Sequence, residues 1–123
     1  MPRNISKSLP AQLQPRWRVV VGRDIALGPG KAELLEEIQR TGSILLAAQA
    51  MGLSYMRAWM LVRTMQGCFR QPLIRVTRGG RQGGGAVLTP FGEKALQRYR
   101  ELQRRALRAA GPDWRRLRAM LRK

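Results

Sequence analysis

A mainly helical domain with a small β component is the fold class the sequence predicts, and three observations predict it. Two short amphipathic segments meet at Met51-Gly52-Leu53-Ser54, a glycine turn followed by a helix-capping serine. Two strand-type runs, 73–78 and 86–88, flank a stretch with five glycines in seven positions. From Thr89-Pro90 onward apolar residues return at helical spacing and continue almost to the end of the chain.

The elements follow in order. Residues 1–15 are polar and broken by Pro2, Pro10 and Pro15, so they read as a flexible arm and not as a secretory signal. Arg16-Trp17-Arg18-Val19-Val20-Val21-Gly22 is a valine-rich strand closed by glycine. Leu27-Gly28-Pro29-Gly30-Lys31 is turn chemistry opening a first helix, with Pro29 in its first turn. That helix runs to about Arg40, with Leu34, Leu35 and Ile38 inward and Glu33, Glu36 and Glu37 outward, and Gly42 stops it. Ser43 caps a short second helix ending near Met51. Ser54 caps a third, reaching about Cys68, in which Ala58, Leu61, Val62, Met65 and Phe69 form one buried stripe. The strand runs around the glycines form a hairpin with a long tip. A last long helix starts at Pro90 with Phe91, Ala95, Leu102, Ala106 and Ala109 on its apolar side. Gly111-Pro112 is expected to break it, leaving a basic helix lined by Trp114, Leu117 and Leu121. Strand, three helices, hairpin, helix is the order of a winged helix-turn-helix domain with a long C-terminal helix. The division expected is an arm over 1–15, the domain over 16–110 and a basic helix over 111–123.

Charge narrows the partner. Lys and Arg number 24 against 7 Asp and Glu, a formal net charge of +17, and all but four of the cations are arginine. With 44% hydrophobic residues the chain is globular in composition, not a disordered basic tail. Such an excess repels itself unless a polyanion screens it, so double-stranded DNA is the expected partner and an anionic membrane surface the rival. The lone Cys68 rules out an internal disulfide and fits a reducing cytoplasm, where it reads as a helix-end core residue. Without histidine, neither a zinc finger nor a His-assisted nucleophile can be built, so no metal, cofactor or enzymatic activity is expected. Glu33, Glu36 and Glu37 read as a solvated helix face and not as an acid/base set. No apolar run approaches the ~18 residues of a membrane span.

The helix-turn-helix would lay the helix from Ser54 in a major groove, N-terminal end first. Candidate contacts there are Ser54, Tyr55, Met56, Arg57 and Met60, with Arg63 one turn later and Ser43 at the start of the preceding helix. Arginine can pair with guanine O6 and N7, while serine and tyrosine suit phosphate or base edges. Trp59 lies beside the buried stripe and reads as structural. The glycine-rich tip fails the spacing of a phosphate-binding nucleotide loop and sits between strands. It reads instead as a wing, with Arg78 and Arg81 reaching phosphates or the minor groove.

From Leu27-Gly28-Pro29-Gly30-Lys31 to Pro90-Phe91-Gly92 the sequence resembles the N-terminal DNA-binding domain of molybdate-responsive regulators of the ModE family, itself a relative of the LysR-type domain. Carrying residues are Gly42-Ser43, Ala47-Ala48, Met51-Gly52-Leu53-Ser54-Tyr55, Arg57-Ala58-Trp59, the wing Gly79 to Ala86, and Leu88-Thr89-Pro90-Phe91-Gly92. The resemblance implies a dimeric bacterial transcription regulator. The family's position of Met56 is usually basic, so an operator is not carried over. Full-length relatives continue into oxyanion-binding domains, so molybdate is not expected to bind this chain. Two readings stand: a sequence-specific, homodimeric regulator, or a nonspecific basic protein that compacts DNA or coats an anionic membrane.

Overall fold

The computed structural model describes residues 10–77 and 84–122. Eight elements follow one another: β1 (Val19–Val21), β2 (Asp24–Leu27), α1 (Pro29–Thr41), α2 (Ile44–Ala50), α3 (Tyr55–Cys68), β3 (Ile74–Thr77), β4 (Gly85–Leu88) and α4 (Pro90–Arg118). The chain is mostly helical, with two separate two-stranded antiparallel sheets.

The first sheet is a hairpin where the sequence reading has a lone strand. Val20 pairs with Ile25 and Val21 with Asp24 across the two-residue turn Gly22-Arg23. Gly22 holds φ 60 at the first turn position, where a hairpin of this length favours glycine. The segment 24–27 escaped notice because Asp and Ala are poor strand formers. Burial of Ala26 and Leu27 outweighs that preference, and β2 packs against α3.

Local chemistry sets the helix ends. Pro29 occupies the first turn of α1, and Gly42 ends it at φ 72, its N–H donating to the Ile38 carbonyl at 2.8 Å. Ser43 Oγ accepts from Leu46 N at 3.1 Å and Ser54 Oγ from Arg57 N at 3.0 Å, so each serine caps its helix. Gly52, at φ 68, turns the chain between α2 and α3. Thr89 Oγ1 caps α4 by accepting from Gly92 N at 2.9 Å, and donates to the Pro72 carbonyl at 2.6 Å.

The core lies where α1, α2 and α3 meet the two hairpins. Leu34, Leu35 and Ile38 of α1 pack there with Ala47, Ala48, Ala58, Val62, Met65 and Leu73. The α3 stripe forms as expected, with Ala58, Val62 and Met65 buried and Leu61 and Phe69 partly so. Gln66 Oε1 accepts from Leu73 N at 2.8 Å and Ile74 N at 3.1 Å, which ties the end of α3 to the entry of β3. Thr77 Oγ1 accepts from Gly85 N at 3.0 Å and donates to Gly85 O at 3.2 Å, closing the last pair of the β3–β4 ladder.

Two expectations for the last helix need correction. Its buried residues are Gly92, Leu96 and Tyr99; Phe91 and Ala95 of the expected apolar side pack partly buried beside them, whereas Leu102 and Ala109 are exposed. No break occurs at Gly111-Pro112; α4 is one helix of 29 residues, and a boundary at 111 falls inside it. Proline in a helix interior costs about 3 kcal/mol through its missing N–H and its clash with the carbonyl four residues back. Here Arg108 and Pro112 both lie on the exposed side, where water can take the Arg108 carbonyl.

Candidate nucleic-acid interface

Helical spacing sorts the α3 side chains. At 100° per residue, positions 56, 60, 63 and 67 share one face. Met56, Met60, Arg63 and Gly67 are all exposed there, opposite the buried Ala58, Val62 and Met65. Arg57 is also exposed but lies about a quarter turn away from that face. The Arg57 guanidinium is among the cations that depress the ammonium of Lys31, whose first cause of depression is burial, with Cys68 and Asp24 opposing. Lys31 is only 9% exposed.

The start of α3 meets α2 and the second hairpin. An open groove of about 190 Å³ is lined by Ser43, Leu45, Tyr55, Trp59, Val76, Thr77 and Gly85. It brings Ser43 and Tyr55 together, while Arg63 stands on the next turn outside it. Tyr55 meets Trp59 edge to face, centroids 6.2 Å apart, and Trp59 is half-buried against the core as expected. Both hydroxyls of Ser43 and Ser54 are engaged as cap acceptors but keep their own O–H to donate. Arg78 and Arg81 lie outside the described residues. Arg75 on β3 is exposed, and sequence reasoning missed it because its strand gave no sign of which face would be covered. Exposed Leu45 and Leu46 of α2 were missed for the same reason.

Basic side chains cover α4 as well. Among the described residues the ion pairs are Arg40–Glu37, Arg98–Glu101, Arg100–Glu36 and Arg116–Asp113. Arg100–Glu36 joins α4 to α1, and the Tyr99 hydroxyl donates to the Trp17 carbonyl at 2.6 Å. Burial raises the Tyr99 pKa, so this O–H stays protonated as a donor. Beside Tyr99 runs an apolar groove of about 350 Å³ lined by Val19, Leu27, Phe69, Phe91, Ala95 and Leu102. No group of three His, Cys, Asp or Glu gathers to hold a metal, and no helix is long and apolar enough to cross a membrane, among the described residues.

No family model matches the chain. It is similar to the molybdenum-pterin-binding protein MopB of Rhodobacter capsulatus, 47% identical over 73 residues, covering 59% of this chain and 27% of that protein. It is 44% identical over 78 residues to the molybdenum transport protein ModE of Azotobacter vinelandii, covering 63% of this chain and 29% of the other. The DNA-binding transcriptional dual regulator ModE of Escherichia coli K12 matches at 38% over 71 residues, 58% of this chain and 27% of its own. These names describe a molybdenum-pterin-binding protein, a molybdenum transport protein and a transcriptional regulator, none of them an enzyme. The chain therefore spans less than a third of the length of each of these relatives, and over about three fifths of itself it is similar to ModE and Mop proteins.

Proposed function

We propose that the chain from residue 16 through α4 forms a winged helix-turn-helix unit that binds double-stranded DNA in a sequence-specific way, as part of a cytoplasmic transcription regulator. In this reading α3 enters the major groove and the β3–β4 hairpin is the wing. The observation that carries it is the exposed α3 face between capped helix starts, on a chain of +17. The similarity to a DNA-binding regulator supports it. Residues 1–9 of the expected arm lie outside the described residues, and the basic residues from 111 to 118 form the end of α4. The molybdenum-pterin binding named for one relative is not assigned to this chain.

Arg63→Ala is expected to weaken binding to the cognate duplex more than to random DNA, because a bidentate guanine contact is worth about 1–3 kcal/mol of discrimination. Arg57→Ala, off that face, should weaken both duplexes about equally, as a phosphate contact does. Titration of both variants against both duplexes is the check. Equal losses for Arg63→Ala on the two DNAs would remove it from base readout. The nonspecific reading predicts that excess random DNA abolishes all binding, whereas a specific reader keeps a preference of about 10³ or more.

The unit acts as a homodimer in this proposal, because one such module contacts too few base pairs and symmetric pairs reading two half-sites are the usual arrangement. The groove beside Tyr99 and the exposed Leu102 support α4 as the seam. Repulsion between two strongly basic chains opposes pairing, so association should tighten with salt or DNA. Sedimentation equilibrium should give twice 13.9 kDa for the wild type and one chain for Leu102→Arg, with helical content unchanged. A wild-type monomer in both conditions would sink the dimer.

A further inference from the structure

Two well-exposed side chains in the first two turns of α3 are not cations. Met56 is 70% exposed and Met60 53%, one turn apart on the same face. Arginine supplies most of the charge on this chain, and Arg63 follows on that face, yet these two positions carry neither charge nor a hydrogen-bond donor. They cannot bond to phosphates, and a thioether sulfur is at most a weak acceptor for a base amino group. What they can do is bury against an apolar group, and the one such group that base pairs present in the major groove is the C5 methyl of thymine. The surrounding charge selects the occupant: Arg57 and Arg63 flank the pair with cations, which suits a polyanion.

We propose that Met56 and Met60 read thymine methyl groups, so that the preferred half-site carries thymine under the N-terminal half of α3. This rests on the DNA-binding reading above and adds to it the base that two named side chains specify. Methionine is suited to the task, because its unbranched thioether chain can settle over a methyl without demanding one rotamer.

The test uses the full wild-type chain and a random-sequence duplex pool. After selection of the preferred duplex, each thymine is replaced singly by deoxyuridine, which removes the methyl and leaves base pairing intact. One or two thymines per half-site should then cost about fourfold in affinity each, the ~0.8 kcal/mol of one buried methyl at 1.4 kcal/mol per decade. In Met56→Ala/Met60→Ala, folded by circular dichroism because both side chains are exposed, the same replacement should cost nothing. A wild type indifferent to uracil at every thymine overturns the inference and leaves DNA binding standing. A double variant that keeps the full uracil penalty also overturns it, since other residues would then read the methyls. Selection that enriches no sequence overturns the parent reading and this one together.

Discussion

Affinity for a DNA duplex is expected to drop by about 10³ to 10⁵ between ~50 and ~200 mM salt, the loss shown by proteins that neutralise six to ten phosphates. Three facts set this expectation. The chain carries 24 basic residues against 7 acidic ones. Among the described residues, four arginines pair with carboxylates, and three of those pairs are between neighbours on one helix. Exposed pairs of that kind contribute well under 1 kcal/mol, so they do not withdraw their cations from a polyanion. Exposed arginines stand on three separate elements: Arg57 and Arg63 on α3, Arg75 on β3, and Arg98, Arg104 and Arg105 on α4. Fluorescence anisotropy over a salt series gives the slope directly. A slope corresponding to one or two phosphates would show that the charge faces something other than DNA.

Much of this arrangement was legible from local chemistry. Ser43, Ser54 and Thr89 each precede a helix by one residue, and each accepts the hydrogen bond that a cap requires. Gly42 and Gly52 stand where the backbone needs positive φ. The apolar period in α3 named its buried face because burial and helix period are the same geometric fact. What escaped notice depended on the tertiary neighbour. The strand β2 forms because Ala26 and Leu27 pack on α3, against their own propensities. The inner side of α4 is Leu96 and Tyr99 rather than Leu102, since only the first three turns of that helix cover the core. Pro112 is tolerated because its turn faces water, which no dipeptide rule can see. For the candidate interface the residue types were legible, but their ranking was not. Met56, Arg57, Met60 and Arg63 stand together as candidates in the sequence, and Arg57 sits about a quarter turn from the exposed face that the other three share.

The seating of α4 on the entry to β3 depends on one close approach of backbone to backbone. Gly92→Ala is expected to destabilise the fold by at least ~3 kcal/mol, and to lower Tm by about 10 °C or more. A Cβ at position 92 would sit 2.1 Å from the Leu73 carbonyl oxygen, 2.9 Å from its carbon and 3.1 Å from its Cα. These are backbone atoms, so no rotamer change relieves the clash; α4 or the start of β3 must move. Neither can move alone. The Leu73 carbonyl accepts from Thr89 N at 2.9 Å, the Leu73 N–H is held by Gln66 Oε1, and Thr89 caps α4. Pushing the helix out therefore strains the cap, the β3 entry and the tie to α3 together. Gly67→Ala is the matched comparison, since nothing lies within 4 Å of a Cβ there and its φ is not in the left-handed region. It should raise stability by about 0.5–1 kcal/mol, the usual gain for alanine over glycine in a helix. Thermal and urea unfolding of the two variants, read by circular dichroism, should move in opposite directions. Gly92→Ala unfolding at the wild-type midpoint would mean that α4 is free to lift from the β3 entry without cost, and that Leu73 does not anchor it.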